Sequence, residues 1–455
     1  MRRYGIVVEQ LRRQVPGGLG TYARGLLQGL QDLQDLQANN LQANDVRVAD
    51  LQENSIRRGV LPDSLLGAGQ NFHDESFLLI ASASTEKPDP LAALGEIWSP
   101  IRGVPVGHRV IQRGWDNRLF AAPAGLDVVH ATSFAQPPRR VSAKRSERLR
   151  TMYVHDLAWR THPEAYPEAG RIWHERALAR SLREVDQFFV PSKATETALR
   201  TASKRQIDIH VIAEGCDHLP LVALPFEQPV SNAVGPTSSP ERSVLFSDRQ
   251  AGSGAPVSNA AGLTSSPERT SEEREGYLLT VSTREPRKNL ARLLEAYALV
   301  RAELQALGLS PLPLRIVGPN GWSNADGDRT LPAQLPQGVE LLGAVNDAEL
   351  VRQFRGASAF VYVPLVEGFG LPPLEAMRAG IPVVCSAVPS VAEGNPNAAC
   401  IVDPLAVSSI ADGIVRVLTN GFLRDSLKVA GSALASERTW LACAARHLEF
   451  WRAAS

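Results

Sequence analysis

The sequence is poor in cysteine and carries no excess charge of either sign. The four cysteines lie far apart and none forms a CxxC spacing; they are Cys216, Cys385, Cys400 and Cys443. A disulfide framework or a structural zinc site is therefore not expected, and a reducing cytoplasm is the expected setting. Lys plus Arg and Asp plus Glu each number 48, so the formal net charge is zero. Because no global field attracts polyanions, we expect no nucleic-acid partner.

Long apolar runs are also missing. No stretch of the chain approaches the roughly 20 apolar residues that a membrane-spanning helix needs. The run Tyr4–Glu9 is too short for the apolar region of a signal peptide and indicates a first buried strand. We therefore expect a soluble protein that at most makes peripheral contact with the inner face of the cell membrane. The composition, 44% hydrophobic and 21% charged over 455 residues, is typical of a globular protein with two or three domains.

Short apolar runs alternate with helical patterns in both halves of the chain. Strands are predicted at Gly5–Val8, Phe77–Ala81, Asp127–His130, Thr151–Val154, Gln187–Val190, Ile209–Ile212, Tyr277–Val281, Leu314–Val317, Val339–Leu342, Ala359–Val363, Val383–Ser386 and Cys400–Val402. Helices are predicted at Gly170–Arg183, Ser192–Ala202, Leu290–Leu304, Asp347–Arg355, Pro372–Ala379 and Val407–Leu418. This alternation predicts an α/β fold with two Rossmann-like domains, each a doubly wound parallel sheet.

A segment of different composition separates the two halves. Residues 221–275 are rich in Ser, Pro and Gly and show no sustained period, which predicts a linker between a domain at 1–220 and a domain at 276–435. Within this linker, Pro229–Arg242 recurs nearly unchanged as Pro256–Arg269. Two copies are too few for a solenoid. The duplication suits either a tolerant surface loop or a docking segment for a partner.

The most informative segment runs from Val366 to Gly380 and follows a predicted strand. Gly368 and Gly370 permit a tight turn, and the prolines after them suit the first turn of a helix. A strand, a glycine loop and a helix N-terminus together form a site for an anionic phosphate. Glu367 and Glu375 frame this site, where their carboxylates can accept hydrogen bonds from sugar and ribose hydroxyls. The alternative is that one caps the helix and the other faces solvent.

The pair Glu-x7-Glu within EGFGLPPLEAM resembles the signature of retaining glycosyltransferases with the GT-B fold, most closely glycosyltransferase family 4, with a C-terminal domain like that of family 1. Segments that begin at Thr280, Arg315 and Val339 are also similar to that family's donor domain, so the resemblance covers residues 276–420. It implies two domains that face each other across a cleft. It also implies a final helix, at 436–455, that crosses back to the N-terminal domain.

The resemblance assigns roles on the donor side of the cleft. Glu375 would hold the nucleotide ribose and Glu367 the transferred sugar, while Lys288 would neutralise the diphosphate. The amides of Gly368, Phe369 and Gly370 would lie beside the sugar and the diphosphate. The family has an arginine five residues before the lysine, where this sequence has Thr283, with Arg284 and Arg287 nearby. Gly343 would begin the segment that meets the base through its backbone.

The N-terminal half supplies further candidates. Gly17, Gly18 and Gly20 resemble the family's glycine loop facing the diphosphate and the acceptor, although such glycines also occur at ordinary helix starts. His130 and His155 each end a predicted strand, where either could donate to sugar hydroxyls or phosphate. Asp156 is expected to orient His155 or a helix. We thus expect Glu367, His155 and Lys288 to be catalytic, with His130, Asp156 and Gly20 on the acceptor or sugar side.

The sequence therefore predicts a retaining hexosyltransferase that moves a sugar from a nucleotide-sugar donor to a glycan or lipid-linked acceptor. No metal is expected, because cations and a helix dipole would balance the diphosphate. GDP-mannose is the favoured donor, since the PRKN and GPNGW patterns are similar to mannosyl- and rhamnosyl-type members. Three alternatives stay open: a sugar-nucleotide epimerase, a glycogen synthase-like polymerase, and a catalytically inactive partner subunit that binds a nucleotide sugar.

Overall fold

A computed structural model describes residues 2–13, 17–40, 75–82, 91, 106–139, 149–221, 276–321, 331–332 and 334–454. The predicted linker lies almost entirely outside the described residues, and both copies of its duplicated segment lie outside them as well.

Strands and helices alternate along the described residues. The strands are β1 (Arg2–Val7), β2 (Glu75–Ile80), β3 (Val128–Ala131), β4 (Leu149–Tyr153), β5 (Gln187–Val190), β6 (Asp208–Val211), β7 (Tyr277–Val281), β8 (Leu314–Val317), β9 (Val339–Gly343), β10 (Ala357–Tyr362), β11 (Val383–Cys385) and β12 (Cys400–Ile401). The helices are α1 (Gly17–Asn40), α2 (His108–Asp116), α3 (Ala158–Thr161), α4 (Glu168–Glu184), α5 (Lys193–Ala202), α6 (Leu290–Ala306), α7 (Asp347–Gly356), α8 (Leu371–Arg378), α9 (Pro389–Ala392), α10 (Val407–Thr419), α11 (Gly421–Ser436) and α12 (Trp440–Ala454).

The strands form two parallel sheets of six. The first has the order β2-β1-β3-β4-β5-β6, and the second has the order β12-β11-β10-β7-β8-β9. Most strand residues are buried on both faces, since helices cover both sides of each sheet. This explains why the strands could be located in the sequence as short, nearly continuous apolar runs. The predicted α/β fold with two Rossmann-like domains is confirmed.

Each sheet has a position where the direction of strand progression reverses. In the first sheet it lies between β1 and β3, and in the second between β7 and β10. Ligands of open α/β sheets bind outside the carboxyl ends of the strands at such positions. A ligand-binding site is therefore expected at the loops that follow these four strands.

The last helix, α12, packs in the interior of the first domain although it follows the second domain in the chain. Trp440 and Trp451 of α12 share a buried cluster with Tyr4, Tyr22 and other first-domain residues. A Cβ atom at Gly25 of α1 would lie 2.1 Å from the Trp440 indole, so this close packing requires glycine. No helix in the described part of the chain combines the length and the apolarity that crossing a membrane requires.

Candidate functional site

Two loops meet at the reversal point of the second sheet. The loop after β7 contains a short 3-10 helix, Pro286–Lys288, and ends at Asn289, which has a left-handed backbone with φ of 60°. The Asn289 side-chain amide donates to the carbonyl of Val363, just after β10, at 3.0 Å and to that of Pro404 at 2.7 Å. This asparagine thus ties the first loop to the start of the second, which carries Glu367.

Glu367 lies in a compact group of side chains that we call the Glu367 cluster: Glu285, Arg287, Lys288, Tyr362 and Glu367. The Tyr362 hydroxyl donates to Glu367 Oε2 at 2.7 Å, and the Lys288 ammonium contacts the same oxygen. Arg287 Nη1 lies 3.2 and 3.3 Å from the two oxygens of Glu367. Lys288 Nζ also donates to the Tyr362 hydroxyl at 2.8 Å, and Arg287 Nε donates to Glu285 at 2.8 Å. Two acidic and two basic side chains make the cluster formally neutral.

Electrostatics within the cluster keep Glu367 ionised. Burial alone would raise the pKa of Glu367, but the charges of Lys288 and Arg287 bring it down to about 2. Burial lowers the pKa of Lys288, and the neighbouring Arg287 lowers it further. For Arg287, the charges of Glu367 and Glu285 outweigh burial and raise its pKa. The site therefore presents a carboxylate surrounded by cations on the carboxyl edge of the sheet.

Glu375 lies apart from this cluster and has a different partner. It is buried on α8, and its Oε1 atom is 3.3 Å from Nε2 of His218, a residue that follows β6. Glu375 is the fifth residue of α8 and lies in its second turn, because the helix begins at Leu371 rather than at the prolines. A carboxylate in the second turn does not complement the positive end of the helix dipole, because that effect is confined to the first turn.

The glycine loop at 368–370 joins β10 to α8 and contacts the first domain. Gly370 is the N-cap of α8 and has φ of 101°, a conformation that favours glycine. The Gly368 carbonyl accepts hydrogen bonds from Ser192 Oγ at 2.8 Å and Thr195 Oγ1 at 3.2 Å. A Cβ atom at Gly368 would lie 1.9 Å from the His155 carbonyl oxygen, so only glycine fits there. Phe369 is buried, and its carbonyl accepts from the Ser390 amide at 2.9 Å.

His155 follows β4 on the first-domain side of this loop. Its Nδ1 atom is 3.0 Å from the Glu214 carboxylate, and its Nε2 atom is 3.1 Å from the Thr132 carbonyl. Both partners are hydrogen-bond acceptors. Asp156 accepts a hydrogen bond from the Ala158 amide at 3.0 Å, which places it at the start of α3. Both ring nitrogens of His155 thus lie within hydrogen-bond distance of protein acceptors beside the glycine loop.

The structure does not bring His130 to this group. Its side chain is 1% exposed and hydrogen-bonds to Thr151 Oγ1 at 2.8 Å and to the Tyr22 hydroxyl at 3.3 Å. Burial, with the nearby His447 and His155, lowers the pKa of His130, so the ring is neutral. The prediction that His130 is available to a sugar or phosphate was wrong, because its side chain points into the first-domain core.

Other predicted residues lie around the two sheet edges. Gly17 and Gly18 are exposed at the start of α1, whereas Gly20 is buried. Thr283 donates to Glu285 at 2.8 Å, and the backbone of Arg284 pairs with Asn320 beyond β8. Gly343 ends β9 with φ of 69°, and its carbonyl accepts from the Gly318 amide at 2.8 Å. The residues just before Gly17, at 14–16, lie outside the described residues.

Three side chains that the sequence did not indicate contact predicted site residues in the structure. Tyr362 ends an apolar strand and reads as core, His218 follows a strand without a motif, and Glu214 is an isolated acid. Each contacts a candidate far away in the sequence or across a turn, so no local spacing indicates it. Among the described residues, no group of three or more His, Cys, Asp or Glu side chains is placed to hold a metal ion.

One family model matches the half of the chain that contains the Glu367 cluster. Residues 264–433 match the family model described as "Glycosyl transferases group 1". The chain is 35% identical over 179 residues to the O-antigen chain mannosyltransferase B of Escherichia coli, which covers 39% of this chain and 46% of that protein. It is 32% identical over 164 residues to the phosphatidyl-myo-inositol mannosyltransferase of Mycobacterium tuberculosis, covering 34% and 41%. The matches thus span less than half the length of these curated relatives.

The fold of the whole chain also has solved counterparts. Sucrose-phosphate synthase from Thermosynechococcus elongatus matches it with a TM-score of 0.61 at 15% identity, covering 100% of this chain and 99% of that chain. The fold is therefore GT-B, as predicted from the sequence. Together the domain match and the fold support a glycosyltransferase with the GT-B fold.

Proposed function

We propose that this protein is a retaining glycosyltransferase that transfers mannose from GDP-mannose to a glycan or lipid-linked acceptor, without a metal ion. The observation that carries the proposal is the Glu367 cluster, which lies at the reversal point of the second sheet, immediately before the glycine loop and α8. The names of the relatives favour mannose as the transferred sugar. A lipid-linked acceptor would bring the enzyme to the inner face of the membrane.

The cluster suggests how the leaving group is stabilised. The Lys288 ammonium has three N–H groups, and two of them donate hydrogen bonds to Glu367 and Tyr362. The third can reach an oxygen of the donor diphosphate, together with the backbone amides that begin α8. As the bond from the sugar C1 atom to the diphosphate breaks, negative charge on the phosphate is balanced by groups already in place. The acceptor oxygen bonds to C1 on the same face, and its proton passes to the departing phosphate.

The experiment is a nucleotide screen followed by a transfer assay. Thermal shifts with GDP, UDP, ADP and dTDP should single out one base, because a ligand raises stability by RT ln(1 + [L]/Kd). The corresponding donor is then assayed for transfer to membrane-derived lipid-linked glycans, with and without a chelator. We expect binding of GDP, transfer of mannose with retained anomeric configuration, and no effect of the chelator.

The outcomes separate the alternatives. Loss of all transfer in the chelator would contradict metal independence. Tight nucleotide binding without transfer to any acceptor would favour the inactive partner subunit, and isomerised sugar without acceptor would favour an epimerase. If no nucleotide stabilises the protein, the proposed function fails altogether.

A further inference from the structure

His218 lies beside the carboxylate that the proposed function assigns to the ribose. It follows β6 in a segment whose apolar residues Cys216, Leu219 and Leu221 pack in a core cluster of the second domain. Its side chain is 22% exposed, that of Glu375 is 9% exposed, and the distance between Nε2 and Oε1 is 3.3 Å. Among the described residues, His218 is the one side chain in ion-pair contact with Glu375.

The protonation of His218 favours donation to Glu375 in either charge state. The indole N–H of Trp440 lies 3.4 Å from Nδ1 of His218 and donates to the neutral ring, which then carries its own proton on Nε2. Burial lowers the pKa of His218, but the hydrogen bond and charge of Glu375, with Asp217 and Asp347, raise it overall. The imidazolium also carries a proton on Nε2. Glu375 therefore faces an N–H whether the ring is neutral or charged.

A glutamate side chain has several rotatable bonds, and ordering such a side chain on binding costs conformational entropy. A partner that holds the carboxylate beforehand removes part of that cost. The contact uses Oε1 through one N–H, and each carboxylate oxygen can accept more than one hydrogen bond. His218 can thus hold Glu375 while a diol binds. Asp347, whose charge also acts on His218, begins the helix after the segment expected to meet the base.

We propose that His218 is a positioning residue that fixes the Glu375 carboxylate for the two ribose hydroxyls and thereby sets the preference for ribonucleotides. The proposal rests on the proposed function, because it requires a nucleotide in this site. A merely structural histidine would affect all nucleotides equally. The property that tests the proposal is therefore the difference in affinity between a ribonucleotide and its 2′,3′-dideoxy counterpart.

The test is a binding titration of the full chain with GDP and UDP and with their 2′,3′-dideoxy counterparts. The variants are His218→Leu, which removes the N–H, and His218→Gln, whose amide can still donate to Glu375. His162→Leu is the matched control, since His162 is half-buried and, among the described residues, its side chain hydrogen-bonds only to Thr161. In His218→Leu we expect ribonucleotide affinity to fall about 5- to 10-fold, while dideoxynucleotide affinity changes less than about 2-fold. His218→Gln should keep most of the parent's preference.

A second measurement links the histidine to its partner. If His218 acts through Glu375, the double variant with Glu375→Gln should bind ribonucleotides no more weakly than Glu375→Gln alone, since the two effects are not additive. Equal losses for ribo- and dideoxynucleotides, or fully additive losses, would overturn the proposal. If the parent binds neither GDP nor UDP, or binds them no better than their dideoxy forms, the ribose assignment itself fails and this inference fails with it. If the parent prefers ribonucleotides and Glu375→Gln weakens their binding, but the His218 variants bind them like the parent, this inference fails while the proposed function stands.

Discussion

Glu367 and Glu375 differ in what surrounds them, and this difference predicts different roles. Glu367 contacts two cations and a tyrosine, whereas Glu375 contacts a single histidine. A carboxylate that already neutralises cations governs how much positive charge the site offers to a phosphate. A carboxylate held by one N–H keeps its remaining acceptor capacity for a ligand.

Replacing each glutamate by glutamine tests this difference. Glu375→Gln should weaken nucleotide binding by about 10- to 150-fold, because an amide cannot accept both ribose hydroxyls as a carboxylate does. Glu367→Gln should bind the nucleoside diphosphate at least as tightly as the parent, since it releases positive charge from Lys288 and Arg287. Its transfer rate should nevertheless fall by about 100-fold or more, because the contact proposed between Glu367 and the transferred sugar would be altered.

Titration calorimetry and initial rates measure the two quantities separately. Glu303→Gln is a suitable control, since Glu303 is an exposed glutamate in α6. Because Glu367 is only partly exposed and lies among cations, some loss of stability is expected in its variant, and unfolding in denaturant must show that the variant remains folded. Parent-like binding and turnover in both variants would remove the basis of the Glu-x7-Glu assignment.

At the level of single residues, the sequence indicated the candidate site residues but not the side chains that contact them. The glutamates, Lys288 and the glycines stand in a local pattern, because a loop and the start of a helix are continuous in the chain. The pairing of His218 with Glu375 depends on which strand ends are neighbours in space, which local spacing does not report. His130 illustrates the converse, since a strand-end position did not reveal that its side chain faces the core.

The helices and strands themselves could be predicted more completely. Each predicted strand has an observed counterpart, displaced by no more than a few residues, since parallel strands covered on both faces form apolar runs. Helix α5 was predicted with Ser192 at its start, and Ser192 does accept a hydrogen bond from the Thr195 amide. That α5 also contacts the other domain could not be seen, because its partners lie in the second half of the chain.

The N-terminus of α5 joins the two domains at the glycine loop. The amides of Lys193 and Ala194 donate to the two carboxylate oxygens of Glu393, at 2.7 and 2.9 Å. A carboxylate at a helix N-terminus is favoured by the helix dipole. Thr195 donates to Gly368, next to Glu367. This element therefore holds the glycine loop from the opposite domain.

Weakening both contacts should slow transfer without abolishing nucleotide binding. In the double variant Glu393→Gln with Thr195→Val, we expect kcat to fall about 10-fold, because the glycine loop loses part of its support. The affinity for the free nucleotide should change less than about 3-fold, since Glu375 is untouched. The control is Glu303→Gln with Thr201→Val, because the hydroxyl of the exposed Thr201 donates to the Thr197 carbonyl within its own helix. An unchanged kcat would show that the α5 contact does not position the loop.

On the scale of the whole molecule, the two ends of the described chain share one core. In α12, the His447 ring is fully buried, with Nδ1 2.8 Å from the Cys443 carbonyl and Nε2 2.8 Å from the Tyr22 hydroxyl. A neutral ring satisfies both contacts, donating through Nδ1 and accepting through Nε2. Burial lowers the pKa of His447 from 6.5 to about 4, against the raising effect of its bond to Cys443.

This buried histidine should make folding sensitive to mild acid. The unfolded chain takes up the His447 proton near its ordinary pKa of 6.5, whereas the folded chain does so only near 4. The stability that the neutral ring provides is therefore complete above pH 6.5 and is lost as the pH falls toward 4. For a shift of this size the loss is about 3 kcal/mol. His130, whose pKa is also lowered by burial, acts in the same direction.

Denaturant unfolding of the parent and of His447→Gln between pH 7.5 and pH 4 isolates this contribution, because the glutamine cannot titrate in that range and the carboxylates are common to both proteins. The variant should be less stable at pH 7.5, since its amide fits the Tyr22 and Cys443 contacts less well. The difference in unfolding free energy should then shrink as the pH falls through 6.5. The exposed Thr201→Val, which removes no titratable group, should keep a constant difference from the parent. A gap that stays constant for His447→Gln would mean that the ring binds its proton equally in both states, and that α12 does not make the fold acid-sensitive through His447.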